Sequence, residues 1–396
     1  MIVSGGRAWT TLAVMSALFF IVTAATFDTL GLVLPPMVAE LGWNWTQAGT
    51  GFTLLGIFCG ITSNIPAILI RRIGVRLTLV VGALVMAAAY LCLGYAHSLW
   101  PYFIGTSLAG FGFTLLATVP GTYLLARLFA RPSFAIGLYF TIGGLGAVAG
   151  PLFYFAMAGS GWRHYWLAAG LLVTLLALLG ALLVDGKTDV SAAAEADPEI
   201  STESWTAAAA LRTPQFWVLA AAYSAFLFCG ITANSVSVAH LTEHGVAAQA
   251  AGTMIAVSGV LNAGSRLAGG ILTRFVSARV LLVAALGALV IGLLALGAAR
   301  DLPMMLVYAA GIGIGYGLTF FASTILLLDY FGRRPYLELF ATVSLVSTVG
   351  SVAPALAGLT RDRLGDFTPF FVGLAVLMAL VMLAVAVMRP PHKSVP

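Results

Sequence analysis

The chain has 396 residues, of which 61% are hydrophobic and only 8% charged, with a net charge of +5 and a mean hydropathy of +1.03. A soluble protein carries about 25% charged residues, so this composition cannot clothe a soluble fold of this size, and much of the outer surface must face lipid. The basic excess is explained below by where the charges sit, and no nucleic-acid partner is expected.

A membrane-crossing helix needs about 20 apolar residues. In chain order the sequence predicts spans at 10–34, 47–70, 77–96, 100–126, 133–158, 163–184, 214–239, 250–273, 279–298, 302–328, 336–359 and 367–388. The first run is too long for a signal peptide and has no small-residue cleavage site. Backbone in lipid must satisfy its own hydrogen bonds, so these segments are read as helices. The expected fold is therefore an all-α membrane protein of twelve transmembrane helices in two six-helix halves. Residues 1–185 and 213–396 form the halves, and the polar stretch 186–212, which holds a large share of the acidic residues, is a cytoplasmic linker.

Orientation follows from the basic residues. One set of loops and termini holds Arg7, Arg71, Arg72, Arg76, Arg127, Arg131, Lys187, Arg212, Arg274, Arg279, Arg333, Arg334, Arg389 and Lys393, fourteen of the nineteen Lys and Arg residues. The other set holds Arg163, Arg300, Arg361 and Arg363. The richer side is expected to be cytoplasmic, together with both termini, in a cell (inner) membrane.

The halves repeat at a fixed offset. QAGTGF from Gln47 matches QAAGTM from Gln249, and the RLFARP segment around Phe129 matches DYFGRRP around Phe331; both pairs are 202 residues apart. Gly150-Pro151 is answered by Ala353-Pro354. A duplicated six-helix unit is the layout of transporters whose halves rock about a central site.

With this layout, the chain resembles the major facilitator superfamily. The family's Gly-x-x-x-Asp-Arg-x-Gly-Arg-Arg/Lys loop survives as Arg71-Arg72-Ile73-Gly74-Val75-Arg76 and more weakly between Arg274 and Arg279. Arg71 stands where that pattern has its acid.

Arg266 is the one basic residue inside a span. It lies eight residues before Arg274, about 12 Å from the helix end at 1.5 Å per residue. A guanidinium there costs about 2.5–3.5 kcal/mol on insertion scales. It needs an internal ion pair, a route to the interface, or an anion to hold; as an anchor its planar fork suits a carboxylate. Asn262, one turn earlier, is placed to brace that side chain, to donate to a substrate, or to bond a neighbouring helix. Asp28 is the one acid well inside a span of the first half. Among apolar neighbours it is suited either to carrying a proton or to bonding a helix. Tyr316 and Phe320, one turn apart at the glycine-rich run of span 10, and Tyr123 of span 4 are candidates for packing or for lining a polar path.

Asp329 and Glu338 stand beside Arg333 and Arg334, and with Arg131 they are candidates for a cytoplasmic gate. His97, His164, His240 and His244 fall at predicted span ends or loops, and His392 in the tail. They show no metal or catalytic constellation, and no cofactor is expected beyond a coupling proton. Cys59, Cys92 and Cys229 lie in apolar runs without metal-ligand spacing. No nucleotide loop or nucleophile–base pair points to an enzyme.

The segment from Leu128 to Gly137, with its aromatic, one basic residue and terminal Ala-x-Gly, resembles a signature of monocarboxylate transporters. The resemblance implies that Arg266 receives the substrate carboxylate and that Phe320 helps set substrate size. Two positions depart from it: Asn262 replaces an acid, and the span-1 lysine of that family falls near Leu32. Proton coupling is then expected from Asp28, or from Arg266 with the substrate itself. The related oxalate/formate exchangers carry a second cation in span 11, absent between Tyr336 and Leu359. The expected activity is proton-coupled symport of a small monocarboxylate such as lactate or pyruvate, for which a monomer suffices. The alternatives are a carboxylate exchanger or a drug/proton antiporter, the latter from Gly146-x-x-x-Gly150-Pro151.

Overall fold

A computed structural model describes residues 5–129, 132–184, 205–332 and 335–391. The regular structure of these residues is helical throughout, and the chain separates into two compact units, Met1–Asp197 and Pro198–Pro396.

In the first unit, α1 (Gly5–Thr23) runs through a wide π-helical turn, Ala24–Asp28, into α2 (Thr29–Leu41). There follow α3 (Trp45–Ile61), α4 (Ile65–Gly94), α5 (Leu99–Leu116), α6 (Thr118–Leu128), α7 (Pro132–Gly144), α8 (Gly146–Ala156) and α9 (Gly161–Leu183). The second unit holds a short α10 (Ala207–Leu211), then α11 (Pro214–Glu243), α12 (Ala248–Leu272), α13 (Ala278–Ala298) and α14 (Leu302–Phe331). It closes with α15 (Tyr336–Ser347), a 3-10 turn at Thr348–Val352, α16 (Ala353–Leu364) and α17 (Thr368–Val387).

Among the described residues, eleven helices are long and apolar enough to cross a membrane, against twelve expected spans. The difference lies at the expected second span. Its helix α3 stops after 17 residues at Thr62, whose hydroxyl turns back to the Phe58 carbonyl at 2.5 Å and reaches Thr114 Oγ1 at 3.2 Å. Such back-bonding by Thr bends helices, and the run resumes at Ile65 as α4. The expected loop at Arg71–Arg76 shrinks to one non-helical residue, Gly74, at φ 83° and ψ 165°, which only glycine takes without strain.

Local chemistry fixes the helix starts. Asn44 and Gln47 form a capping box at α3, with bonds of 2.8 and 3.1 Å. Thr213, Ser277 and Asp301 cap α11, α13 and α14. The repeat is structural as well. Arg76 donates to the Ala181 carbonyl at 2.7 Å in the last turn of α9, and Arg279 donates to Met388 and Ala386 carbonyls at 2.6 and 3.1 Å at the end of α17. Each half thus ends its final span on an arginine from its third, where a cation suits the negative helix end. Of the basic residues expected on the opposite side, Arg163 bonds Glu40, and Arg361 Nε reaches Glu243 at 2.9 and 3.1 Å.

Small residues bring the spans close, as lipid-embedded helices require. Gly110 of α5 lies on the backbone of α3 at Leu55, and Gly311 of α14 lies on Gly292 of α13. On another face of α14, Gly313 meets Ser258 and Gly317 meets Asn262 and Ser265 of α12, leaving no room for a Cβ. This last contact positions the candidate site.

Candidate functional site

Because α14 presents glycines to α12, its aromatic residues beside them meet the face carrying Arg266. The guanidinium carbon lies 4.6 Å from the ring centre of Phe320 and 5.8 Å from that of Tyr316. Arg266 Nε donates to Asn262 Oδ1 at 3.0 Å. The residue is half-buried. Among the described residues, its two terminal nitrogens make no hydrogen bond and no carboxylate pairs with it. Asn262 therefore braces the guanidinium through Nε, and the fork of its two terminal nitrogens stays available to a bidentate partner.

A wall of rings from α11 and α15 continues from these two aromatics. Phe226 lies 4.7 Å from Tyr316 and 5.8 Å from Phe320, while Tyr223 lies 4.8 Å from Phe226, 5.9 Å from Phe320 and 5.8 Å from Phe340. Tyr336 stacks on Phe340 at 5.8 Å. Gly230 of α11 leaves the space that the Tyr316 ring fills. An anionic head on the guanidinium would have its carbon body against rings, and the ring faces themselves favour the cation. The sequence reading found Arg266, Asn262, Tyr316 and Phe320, which the structure brings together. It missed Tyr223, Phe226 and Phe340, because aromatics in apolar helices give no sign of which face they share.

The remaining candidates, Asp28, Leu32 and Tyr123, lie on elements of the first unit. Asp28 is 4% exposed and closes the π-helical turn. That turn frees carbonyls that other groups take: Thr29 Oγ1 donates to Ala24 O at 2.7 Å and Tyr165 OH to Ala25 O at 3.3 Å. Thr26 and Tyr90 share a hydroxyl bond of 2.8 Å beside it. Gly150 of α8 packs directly on Ala24, Asp28 and Thr29, so one glycine of the Gly-Pro element supports the acid. Wide turns of this kind recur at functional positions in helices. Leu32, one turn after Asp28, is buried, and Tyr123 sits half-buried on α6.

Of the gate residues, Asp329 is exposed near the end of α14 and Glu338 is exposed in the first turn of α15, while Arg131, Arg333 and Arg334 lie outside the described residues. His240 lies at a span end, as expected, fully buried in the last turn of α11; its neighbours there are His244 and Asp366, a grouping with metal-ligand character that the sequence reading did not find. The His-x-x-x-His spacing was the available signal; Asp366, over a hundred residues on, gave none.

Residues 16–336 match the sequence profile of the Major Facilitator Superfamily. The chain belongs to this superfamily. It is a multi-pass membrane transporter by that membership and by its apolar helices. Human Monocarboxylate transporter 11 is 25% identical to this transporter over 386 residues, covering 93% of this chain and 80% of the relative. Solved structures with the same fold include a bacterial homologue of the human lysosomal transporter Spinster in an inward-facing, unoccupied conformation, with TM-score 0.70 and 16% identity over 97% of this chain and 95% of that one. A POT family transporter in complex with a thioalcohol-conjugated peptide gives TM-score 0.76 and 13% identity, covering 95% of both chains. The nucleoside transporter NupG gives TM-score 0.76 and 12% identity, covering 96% of this chain and 99% of that one.

Proposed function

We propose that this transporter carries a small monocarboxylate, of the lactate and pyruvate class, together with a proton by alternating access through twelve spans with both termini in the cytoplasm. The observation that carries the reading is the Arg266 guanidinium: braced by Asn262, laid on Phe320 and Tyr316, and with no internal counter-ion among the described residues. A cation inside a membrane span without a counter-ion is costly, and an incoming carboxylate supplies two parallel charge-assisted bonds. One cation matches one negative charge, which favours a monoanion. The likeness to a monocarboxylate transporter supports the same class.

In this reading Arg266 and Asn262 hold the carboxylate end, Tyr316 and Phe320 contact the carbon body, and Asp28 is the proton-carrying acid. The proton and anion cross as a neutral pair. Uptake of radiolabelled mono- and dicarboxylates into proteoliposomes at two external pH values tests this. Lactate or pyruvate uptake that rises at the lower external pH, and is lost in Arg266→Ala at equal protein incorporation, is expected. Normal uptake by that variant, or preference for dicarboxylates, overturns the assignment.

A further inference from the structure

A second polar cluster lies in the C-terminal half, apart from the arginine and its rings. His240 occupies the last turn of α11 and His244 follows as its C-cap residue, so the two imidazoles share one helical face with ring centres 4.4 Å apart. Asp366 reaches them from the turn between α16 and α17. The ligand atoms of all three lie within 4.8 Å of one another.

Three details make this more than a chance grouping. First, His240 is fully buried against Phe367 and Phe371, at 6.3 and 5.1 Å between ring centres, and neither ring nitrogen makes a well-aligned hydrogen bond, with the Leu296 backbone beside it as a poorly aligned partner. Leaving a buried polar group poorly paired is costly, and apolar packing gives no return for it.

Second, the lone pairs face each other. His244 Nδ1 lies 2.8 Å from the His240 carbonyl, which only accepts, so that nitrogen carries the hydrogen. In the neutral ring Nε2 then holds a lone pair, and it faces Asp366 Oδ2 at 3.5 Å. His240 Nδ1 faces Asp366 Oδ1 at 3.4 Å. At His244 an acceptor lies opposite an acceptor, which a proton or a metal ion between them reconciles, while His240 Nδ1 faces the same carboxylate. One dication engages all three side chains at once.

Third, the spacing is near that of a metal site. Zinc bonds of about 2.0–2.1 Å in a tetrahedron place neighbouring ligand atoms about 3.3–3.4 Å apart; each imidazole has one carboxylate oxygen near this distance, Oδ1 for His240 and Oδ2 for His244, and with one atom from each residue the set lies within 4.8 Å. The supporting bonds are also those of metal ligands. His244 gives its other N–H to a backbone carbonyl, and Asp366 Oδ1 accepts from the Thr368 N–H at 2.9 Å and hydroxyl at 3.0 Å. Glu243 is engaged with Arg361 and is not a fourth ligand. His244 and Asp366 keep 24% and 35% of their side-chain surface exposed, which gives an ion a way in and leaves a position for water.

We propose that His240, His244 and Asp366 form a binding site for a divalent transition-metal ion of the zinc class, which ties the end of α11 to the turn before α17. The test uses the full-length protein in detergent, purified through a tag free of histidine and stripped with a chelator. Equilibrium dialysis with Zn2+ is expected to give one ion per chain, and Co2+ to give the visible absorption bands of a low-coordinate site. His244→Ala and Asp366→Asn, both at partly exposed positions and checked for monodispersity, should each weaken Zn2+ binding at least tenfold and remove the Co2+ bands. His240→Ala should do the same if it remains monodisperse. Absence of Zn2+ binding by the unaltered protein, or unchanged binding in the first two variants, overturns the site.

Discussion

Arg266→Lys separates charge from geometry at the arginine site. The substitution keeps one positive charge on the same face of α12. It removes the planar fork, the Nε bond to Asn262 and the flat contact with Phe320. With Nε occupied by Asn262, the two terminal nitrogens of Arg266 can each donate to one oxygen of a carboxylate, whereas an ammonium meets it as a point charge. The lost charge-assisted bond is worth about 1.5–3 kcal/mol. At tenfold per 1.4 kcal/mol, the half-saturating substrate concentration should rise about 10- to 150-fold. Initial rates of radiolabelled lactate or pyruvate uptake into proteoliposomes, measured over a concentration series at equal incorporation, read this directly. A half-saturation value within twofold of the unaltered protein would refute paired hydrogen bonding and leave only a general need for charge.

Phe320→Ala removes the ring 4.6 Å from the guanidinium; with a cation–π contribution of about 0.5–2 kcal/mol, half-saturation should rise between twofold and thirtyfold, and bulkier monocarboxylates should gain relative to lactate in competition assays. Gly317→Ala places a Cβ on the Asn262 carbonyl and the Ser265 hydroxyl and should cost about 1–3 kcal/mol, read as a fall of several degrees in thermal unfolding in detergent. Gly264→Ala, on α12 with open space at its Cβ, is the control and should not lower it. Asp28→Asn should abolish or weaken accumulation driven by a pH gradient while leaving exchange of labelled for unlabelled substrate; accumulation with unchanged dependence on the gradient would clear Asp28 of proton carriage.

Helix content was legible in the sequence because hydropathy is set by the solvent, and lipid allows few alternatives to a helix. The errors fell where a single polar side chain or glycine decides. Thr62 interrupts an apolar run that reads as continuous, and Gly74 lets a stretch with three arginines turn within one residue. Arg266 was visible because a lone cation in an apolar segment has few explanations. Its setting was only half visible. Asn262 follows from helical spacing, but the rings of α11 reach it through tertiary packing that turns on Gly230 and Gly317. The histidine–aspartate group was missed for the same reason: its third member arrives from a turn far along the chain.

The duplicated scaffold and the unduplicated chemistry can be told apart residue by residue. Arg76 and Arg279 perform the same task at the ends of α9 and α17, and the α7–α8 junction at Leu145 is matched by the 3-10 turn at Thr348–Val352 before α16. These are features of the scaffold, present in both copies. At the repeat offset of 202, however, Arg266 corresponds to Asn64 and Asn262 to Gly60. Neither first-half residue can hold an anion by charge. A cation kept in only one copy has no role that the fold demands twice, since the half without it packs its helices on glycines in the same way. That asymmetry supports the proposal that Arg266 serves the cargo rather than the architecture.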